Sequence, residues 1–264
     1  MKLFYEVLGD SAGPTVVMSS GLGGSASYWK PQIPALLENG FRVIVYDQLG
    51  TGRSRPASLK TDYTIDDMAT EVLEIVESTG TKAYHFVGHA LGGLVGLSLA
   101  MHRAKGLQTI TLINTWAKIA GHTERCFDAR LSLLSAVGPE AYVKAQPIFL
   151  YPAAWAELHA DVVNAEVSHG IEHFPGEKTM LRRIQALRAF DATASLSTIQ
   201  LPVFISAATD DVLVPWTQSR KMADTLPICE SVFVHSGGHA HNVTESEAFN
   251  ETMLRFLNRH RDAS

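Results

Sequence analysis

The chain has 264 residues, 46% of them hydrophobic and 19% charged, with a formal net charge of −5. That is enough apolar material for one large core, and α/β folds of this size commonly form one domain. The acidic balance and the lack of any long basic run argue against nucleic-acid binding, which leans on clustered Lys and Arg.

Taken in chain order, apolar runs and helical periodicities alternate. Val16-Val17-Met18 reads as a strand ending in the glycine loop Gly21-Leu22-Gly23-Gly24, and a helix is expected from Pro31 to Glu38. Phe41 to Tyr46 is the next strand, closed by Asp47 and the turn Gly50-Thr51-Gly52-Arg53-Ser54. Ile65, Met68, Ala69, Val72, Leu73, Ile75 and Val76 recur at helical spacing. Ala83 to Val87 is a strand, Leu94 to Met101 an apolar helix and Leu107 to Ile113 another buried strand. Such alternation predicts a parallel sheet with helices on both faces.

The pattern breaks after Trp116. From about Lys118 to Thr198 there are helical periodicities, such as Thr179 to Phe190, and no convincing strand. Strands resume at Val203 to Ile205 and Ser231 to Val234, and a last helix runs from about Ser246 to Asn258. We therefore expect a core of residues 1–115 and 199–264 and a helical cap over 116–198.

Three loops follow these strands where ligands gather in open α/β sheets. The first is Gly88-His89-Ala90-Leu91-Gly92, which has the spacing of the G-x-S-x-G turn with alanine in place of serine. The second contains Asp210-Asp211, with Pro215 four residues beyond Asp211, and the third is Ser236-Gly237-Gly238-His239. Alone, an Asp-Asp pair is turn chemistry and a histidine after glycines is structural. In the order elbow, acid, histidine they point to a hydrolase site. The order resembles that of α/β hydrolases, and matched to their pattern Asp211 is the expected acid, His239 the general base, and the backbone N–H groups of Leu22 and Leu91 the oxyanion hole, with Ala90 at the position of the nucleophile.

On these residues the chain resembles the α/β-hydrolase superfamily over its whole length. Within it, the chain is similar to the pyrimidine-utilisation protein D family, carbamate or aminoacrylate hydrolases of uracil degradation. The similarity rests on Ser20 to Ser25, Tyr46-Asp47-Gln48, Gly50-Thr51-Gly52, the elbow, Ala145-Gln146-Pro147, Phe149 to Pro152 with Trp155, and Gly237-Gly238-His239. The resemblance implies that alanine at the elbow is the family's usual residue. It also implies a hydrolase that releases ammonia from carbamate or 3-aminoacrylate. Three other readings stay open: a serine hydrolase whose nucleophile has been replaced by Ala90, an inactive binding protein on the same fold, and a cofactor-free lyase.

Other motifs carry less. His169-Gly170-Ile171-Glu172-His173 fits an inverted zinc-protease pattern but contains a glycine poor in helices and lies in the cap, so no metal is expected. His235, His239 and His241 cluster, and only His239 has a role in the fold. The loop at Gly21 lacks G-x-G-x-x-G and the Gly50 turn lacks a lysine, so no nucleotide or other cofactor is expected. Arg125, Arg130 and Arg182 are candidate ligands for a substrate anion, although solvated surface is the blander reading of each. Trp116 either lines the pocket or packs the junction of core and cap. Arg182-Arg183 and Arg259-His260-Arg261 read as solvated helix surface, and Cys126 and Cys229 as reduced side chains in no metal or redox spacing.

No run approaches the ~20 apolar residues of a membrane span. Met1 to Glu6 meets an acid before any apolar stretch, so no signal peptide is expected. The expected location is cytoplasmic and the expected partner a small-molecule substrate, without nucleic acid or membrane. A homodimer stays open.

Overall fold

A computed structural model describes residues 3–55 and 57–261. Strand β1 (Tyr5–Leu8) is followed by β2 (Thr15–Ser19), helix α1 (Ile33–Glu38), β3 (Arg42–Tyr46), α2 (Ile65–Ser78), β4 (Tyr84–His89), α3 (Leu91–Met101) and β5 (Leu107–Ile113). Five helices come next: α4 (Gly121–Ala136), α5 (Pro139–Leu150), α6 (Ala153–Leu158), α7 (Ala160–Glu172) and α8 (Glu177–Ala189). The chain closes with β6 (Val203–Ala208), α9 (Trp216–Ala223), β7 (Cys229–Val234), the short α10 (His241–Thr244) and α11 (Ser246–Arg259).

The strands form one sheet in the order β1-β3-β2-β4-β5-β6-β7, with β1 antiparallel to β3 and every other pair parallel. β2 and β4 are buried along their whole length, as strands covered on both faces must be, and this explains their continuous apolar runs. The core falls into two clusters: one gathers α2, α3 and the inserted helices, the other gathers Trp29, Leu36 of α1 and Phe249, Met253, Phe256 and Leu257 of α11.

α2 starts where its sequence says it should. The Thr64 hydroxyl accepts from the Asp67 N–H and the Asp67 carboxylate accepts from the Thr64 N–H, a reciprocal cap that satisfies two otherwise free donors. α3 has no polar face, and every residue from Leu91 to Ala100 is buried. Its glycines let it sit against the sheet: a Cβ on Gly92 would lie 2.0 Å from the Ser19 carbonyl oxygen.

Three elements escape the sequence reading, the short α10 among them. β1 is partly exposed and has no continuous apolar run, and α9 lies in a segment with no long periodicity. The apolar helix expected from Leu94 begins three residues earlier, at Leu91, directly after the elbow.

The inserted helices α4 to α8 are clipped at their base by a bridge between Lys118 and Asp191, with a 2.8 Å ion pair between their side chains and a bond from the Ala192 N–H to the Ala117 carbonyl. Trp116 is buried just before this clip and packs into the larger core cluster. No described helix is long and apolar enough to cross a membrane.

Candidate active site

At the elbow, Ala90 has φ 49° and ψ −110°, a conformation that costs a residue with a Cβ of order 1–3 kcal/mol. It is held there from three sides. The Ala90 N–H donates to the Ile113 carbonyl at 2.8 Å, and the Ala90 carbonyl accepts from the Thr115 hydroxyl at 2.8 Å and from the Gly93 N–H at 2.9 Å. Glycine is required at Gly88 because a Cβ would meet the Gly92 carbonyl oxygen at 2.3 Å.

The acid and the base come together. Asp211 Oδ2 accepts from His239 Nδ1 at 2.7 Å, and both side chains are buried. Asp211 Oδ1 accepts from the backbone N–H groups of Leu213 and Val214 at 2.8 and 2.9 Å, which stabilises the carboxylate and fixes its direction. With Nδ1 committed to Asp211, Nε2 is the histidine's free nitrogen. The Asp210 carboxylate points elsewhere. It accepts from the N–H groups of Gly238 at 2.9 Å and Gly237 at 3.3 Å and so anchors the histidine loop.

Two residues that sequence reasoning passed over complete the support. Asn114, at φ 44°, donates its Nδ2 to the carbonyls of His239 at 2.6 Å and Gly238 at 2.9 Å, and its Oδ1 accepts from the Ala208 N–H at 3.1 Å. It thereby ties the ends of β5 and β6 to the histidine loop. His89 Nε2 donates to the His239 carbonyl at 2.8 Å while its ring stacks on Tyr28 at 4.8 Å. Burial, and then the neighbouring His239, hold the His89 imidazole well below its ordinary range, so it is neutral. His241 donates or accepts at Ser206 Oγ at 2.7 Å and is pushed down to about 3 by burial and then by His239.

The Gly21 loop faces the elbow: a Cβ on Gly21 would lie 3.0 Å from His89 Nδ1 and 3.7 Å from the Ala90 methyl. Three of its carbonyls are held. Gln48 Nε2 donates to Ser20 O at 2.7 Å, the Thr51 hydroxyl to Gly24 O at 3.0 Å, and Arg183 Nη1 to Leu22 O at 3.2 Å. Neither Leu22 nor Leu91 donates its backbone N–H to another group among the described residues, which is the condition an oxyanion donor has to meet.

Arg183 corrects the reading of Arg182-Arg183 as solvated surface. It is fully buried, because the period of α8 turns it inward, and it also donates Nη2 to Leu49 O at 3.4 Å. Of the three arginines considered as anion ligands, Arg125 is exposed, Arg182 half-buried and Arg130 buried. His169 and His173 stack at 4.1 Å on α7, and no three described His, Cys, Asp or Glu side chains group to hold a metal ion.

A cavity of about 470 Å³ opens beside the pair, walled by His239, Gly238, Asp210 and Val212 from the core and by Pro147 to Ala153 and Ala156 from the inserted helices. Ala90, Leu22 and Leu91 lie outside its lining. The described geometry therefore supplies a buried, oriented imidazole at a mostly apolar cavity and an elbow bearing a methyl group.

The family model for the alpha/beta hydrolase fold matches residues 14–245, and the chain belongs to that family. Among solved structures it is similar to the enol-lactonase from Burkholderia xenovorans LB400, with a TM-score of 0.87, 26% identity and coverage of 97% of this chain and 96% of that one. It is similar to a hydrolase from Pseudomonas aeruginosa PA01 at the same TM-score with 25% identity, over 97% of this chain and 94% of that one. More particularly, it is 56% identical over 98% of its length to the protein of Variovorax paradoxus (strain S110) named "Putative carbamate hydrolase RutD", of which 97% is covered. A protein of the same name from Agrobacterium fabrum is 47% identical, over 97% of this chain and 98% of its own.

Proposed function

We propose that the protein accelerates the breakdown of a labile small substrate, carbamate or 3-aminoacrylate, with release of ammonia and without an acyl-enzyme. The observation that carries this is an intact, buried Asp211–His239 pair at 2.7 Å in a chain whose elbow presents only the Ala90 methyl. An ordinary ester or amide needs a nucleophile here. A substrate that already decomposes unaided needs only proton transfer and charge stabilisation; in serine triads the oxyanion hole and binding alone still give about 10³–10⁴-fold acceleration over water once the nucleophile is removed. The name carried by the relatives supports the carbamate alternative.

His239 Nε2, oriented through Nδ1 by Asp211, moves the protons. Delivered to a carbamate nitrogen, a proton lets the C–N bond break to ammonia and carbon dioxide. For 3-aminoacrylate, the imine tautomer takes up water, His239 removing the water's proton. Returned to the imine nitrogen, that proton completes a neutral carbinolamine; His239 then passes the carbinolamine's hydroxyl proton to the same nitrogen, the C–N bond breaks, and ammonia leaves behind an aldehyde. We place that water beside the Ala90 methyl, where a serine would carry its hydroxyl. The free N–H groups of Leu22 and Leu91 hold a substrate oxygen, and the inserted helices act as a cap that shields the site.

The test is ammonia release from freshly generated carbamate and 3-aminoacrylate with the protein and without it. Acceleration for at least one substrate is expected; none for either overturns the reading.

A further inference from the structure

Resting on that reading, we infer that Arg130 is the residue through which the cap recognises the substrate's negative charge, so that the site selects small planar mono-anions, carboxylate or carbamate, over their neutral counterparts. Arg130 is buried to 4% exposure on α4, a depth at which arginine is ordinarily paired. It forms no ion pair with any described carboxylate, although five other arginines do. Its one hydrogen bond among the described residues runs from Nη2 to the Tyr142 hydroxyl at 2.9 Å, and its buried Nε–H has no partner. The remaining surroundings are aromatic: the guanidinium carbon lies 5.3, 5.0 and 5.6 Å from the ring centres of Phe127, Tyr142 and Phe149.

A guanidinium in such a box lacks the anion that its fork of N–H donors matches. Tyr142 and the three rings partner the cation, but no carboxylate does, and a buried charge without a counter-charge is costly. The placement is right for a ligand at the site. Phe149 is both a wall of the arginine's box and a wall of the cavity that holds His239. α4 is fastened to the acid loop, the Thr123 hydroxyl donating to Leu213 O at 3.0 Å and His122 Nε2 to Val212 O at 2.8 Å. Arg130 lies on the same helix face as Thr123 two turns on, roughly 10 Å along the axis. Arg183 is also buried, without an ion pair and with an unpartnered Nε–H, but it differs in donating to two backbone carbonyls.

The experiment reads binding and needs no turnover, so its failure and the failure of the hydrolytic reading are distinguishable. Propionate stands in for a three-carbon carboxylate, bicarbonate for carbamate, and propionamide is the neutral control. Calorimetric titration of the intact protein should show binding of at least one anion and none of the amide. Arg130→Met should weaken that binding by about 10–100-fold, the worth of one charge-assisted contact, and Arg130→Lys should weaken it less. His239→Ala should retain it. Which anion binds distinguishes the two sources. Anion binding unchanged in Arg130→Met, or neither anion binding the intact protein, overturns the proposal. Should the methionine variant fail to fold, equal anion affinity in the folded lysine variant and the intact protein overturns it as well.

Discussion

The position of Ala90 separates geometry from chemistry at the level of a single residue. Its backbone is held in the strained turn by Ile113, Thr115 and Gly93, and the one hydroxyl among them, that of Thr115, is engaged with the Ala90 carbonyl. Introducing a hydroxyl in Ala90→Ser should therefore be structurally mild. We expect that variant to be labelled by fluorophosphonates, which the unmodified protein resists, and to release ammonia no faster than the unmodified protein. A rise of about 10³-fold or more in ammonia release, the scale of a restored triad nucleophile, would instead mark a serine enzyme deprived of its nucleophile. The residues at this scale were unevenly legible. Asp211 and His239 could be read from their loops because the order of motifs is itself a signal. Asn114 and the anchoring role of Asp210 could not, since both act by bonding to backbone groups far away in the chain.

Among the elements, the contact between α3 and β2 determines where the elbow stands. Gly92 lets the first turn of α3 approach the end of β2 so closely that a Cβ would meet the Ser19 carbonyl at 2.0 Å and the Ser20 carbonyl at 2.8 Å. Both obstacles are backbone, which cannot rotate away. Gly92→Ala should cost roughly 3 kcal/mol or more, at the upper end of the cost of overpacking. For a protein of this size that lowers the melting temperature by about 6–12 °C in a thermal scan; an unchanged melting temperature would show that α3 can shift freely. Buried strands and amphipathic helices were readable because their pattern is their burial. β1 was not, because an edge strand that is only half covered needs no apolar run. Arg183 read as surface, and Arg130 as a candidate anion ligand or, more blandly, surface, because composition ignores helical phase. Turned inward by α4 and α8, they become the two buried cations of the inserted helices.

Considered as a whole molecule, the fold buries imidazoles that it keeps neutral. Burial is the first cause for all three: His85 is pushed down to about 4 and His241 to about 3, and His89 is also lowered. In the unfolded chain these groups titrate near ~6.5. Below that value the unfolded chain takes up protons that the native state refuses, so the stability they confer is present above about pH 6.5 and is lost as the pH falls toward the folded values. Glu71 works in the opposite direction, since burial raises it to about 7 and the native state keeps its proton as the pH rises from about 4.5. Three imidazoles outweigh one carboxyl, giving a slope of roughly 3 kcal/mol per pH unit at its steepest. Denaturant midpoints should therefore fall between about pH 7 and about pH 5. His241→Gln, which keeps a partner for Ser206, should flatten the decline by roughly 1.4 kcal/mol per pH unit; an equal slope in both proteins would show that His241 does not contribute to it.

At every scale the structure serves one proposition, that proton transfer by an oriented histidine suffices where no nucleophile exists. The decisive measurement is the rate of ammonia release from fresh substrate by the intact protein and by His239→Ala under the same conditions. The variant should lose about 10²–10⁴-fold of the catalysed rate while retaining the fold and anion binding. If it releases ammonia as fast as the intact protein, His239 does not move the protons and the proposition fails.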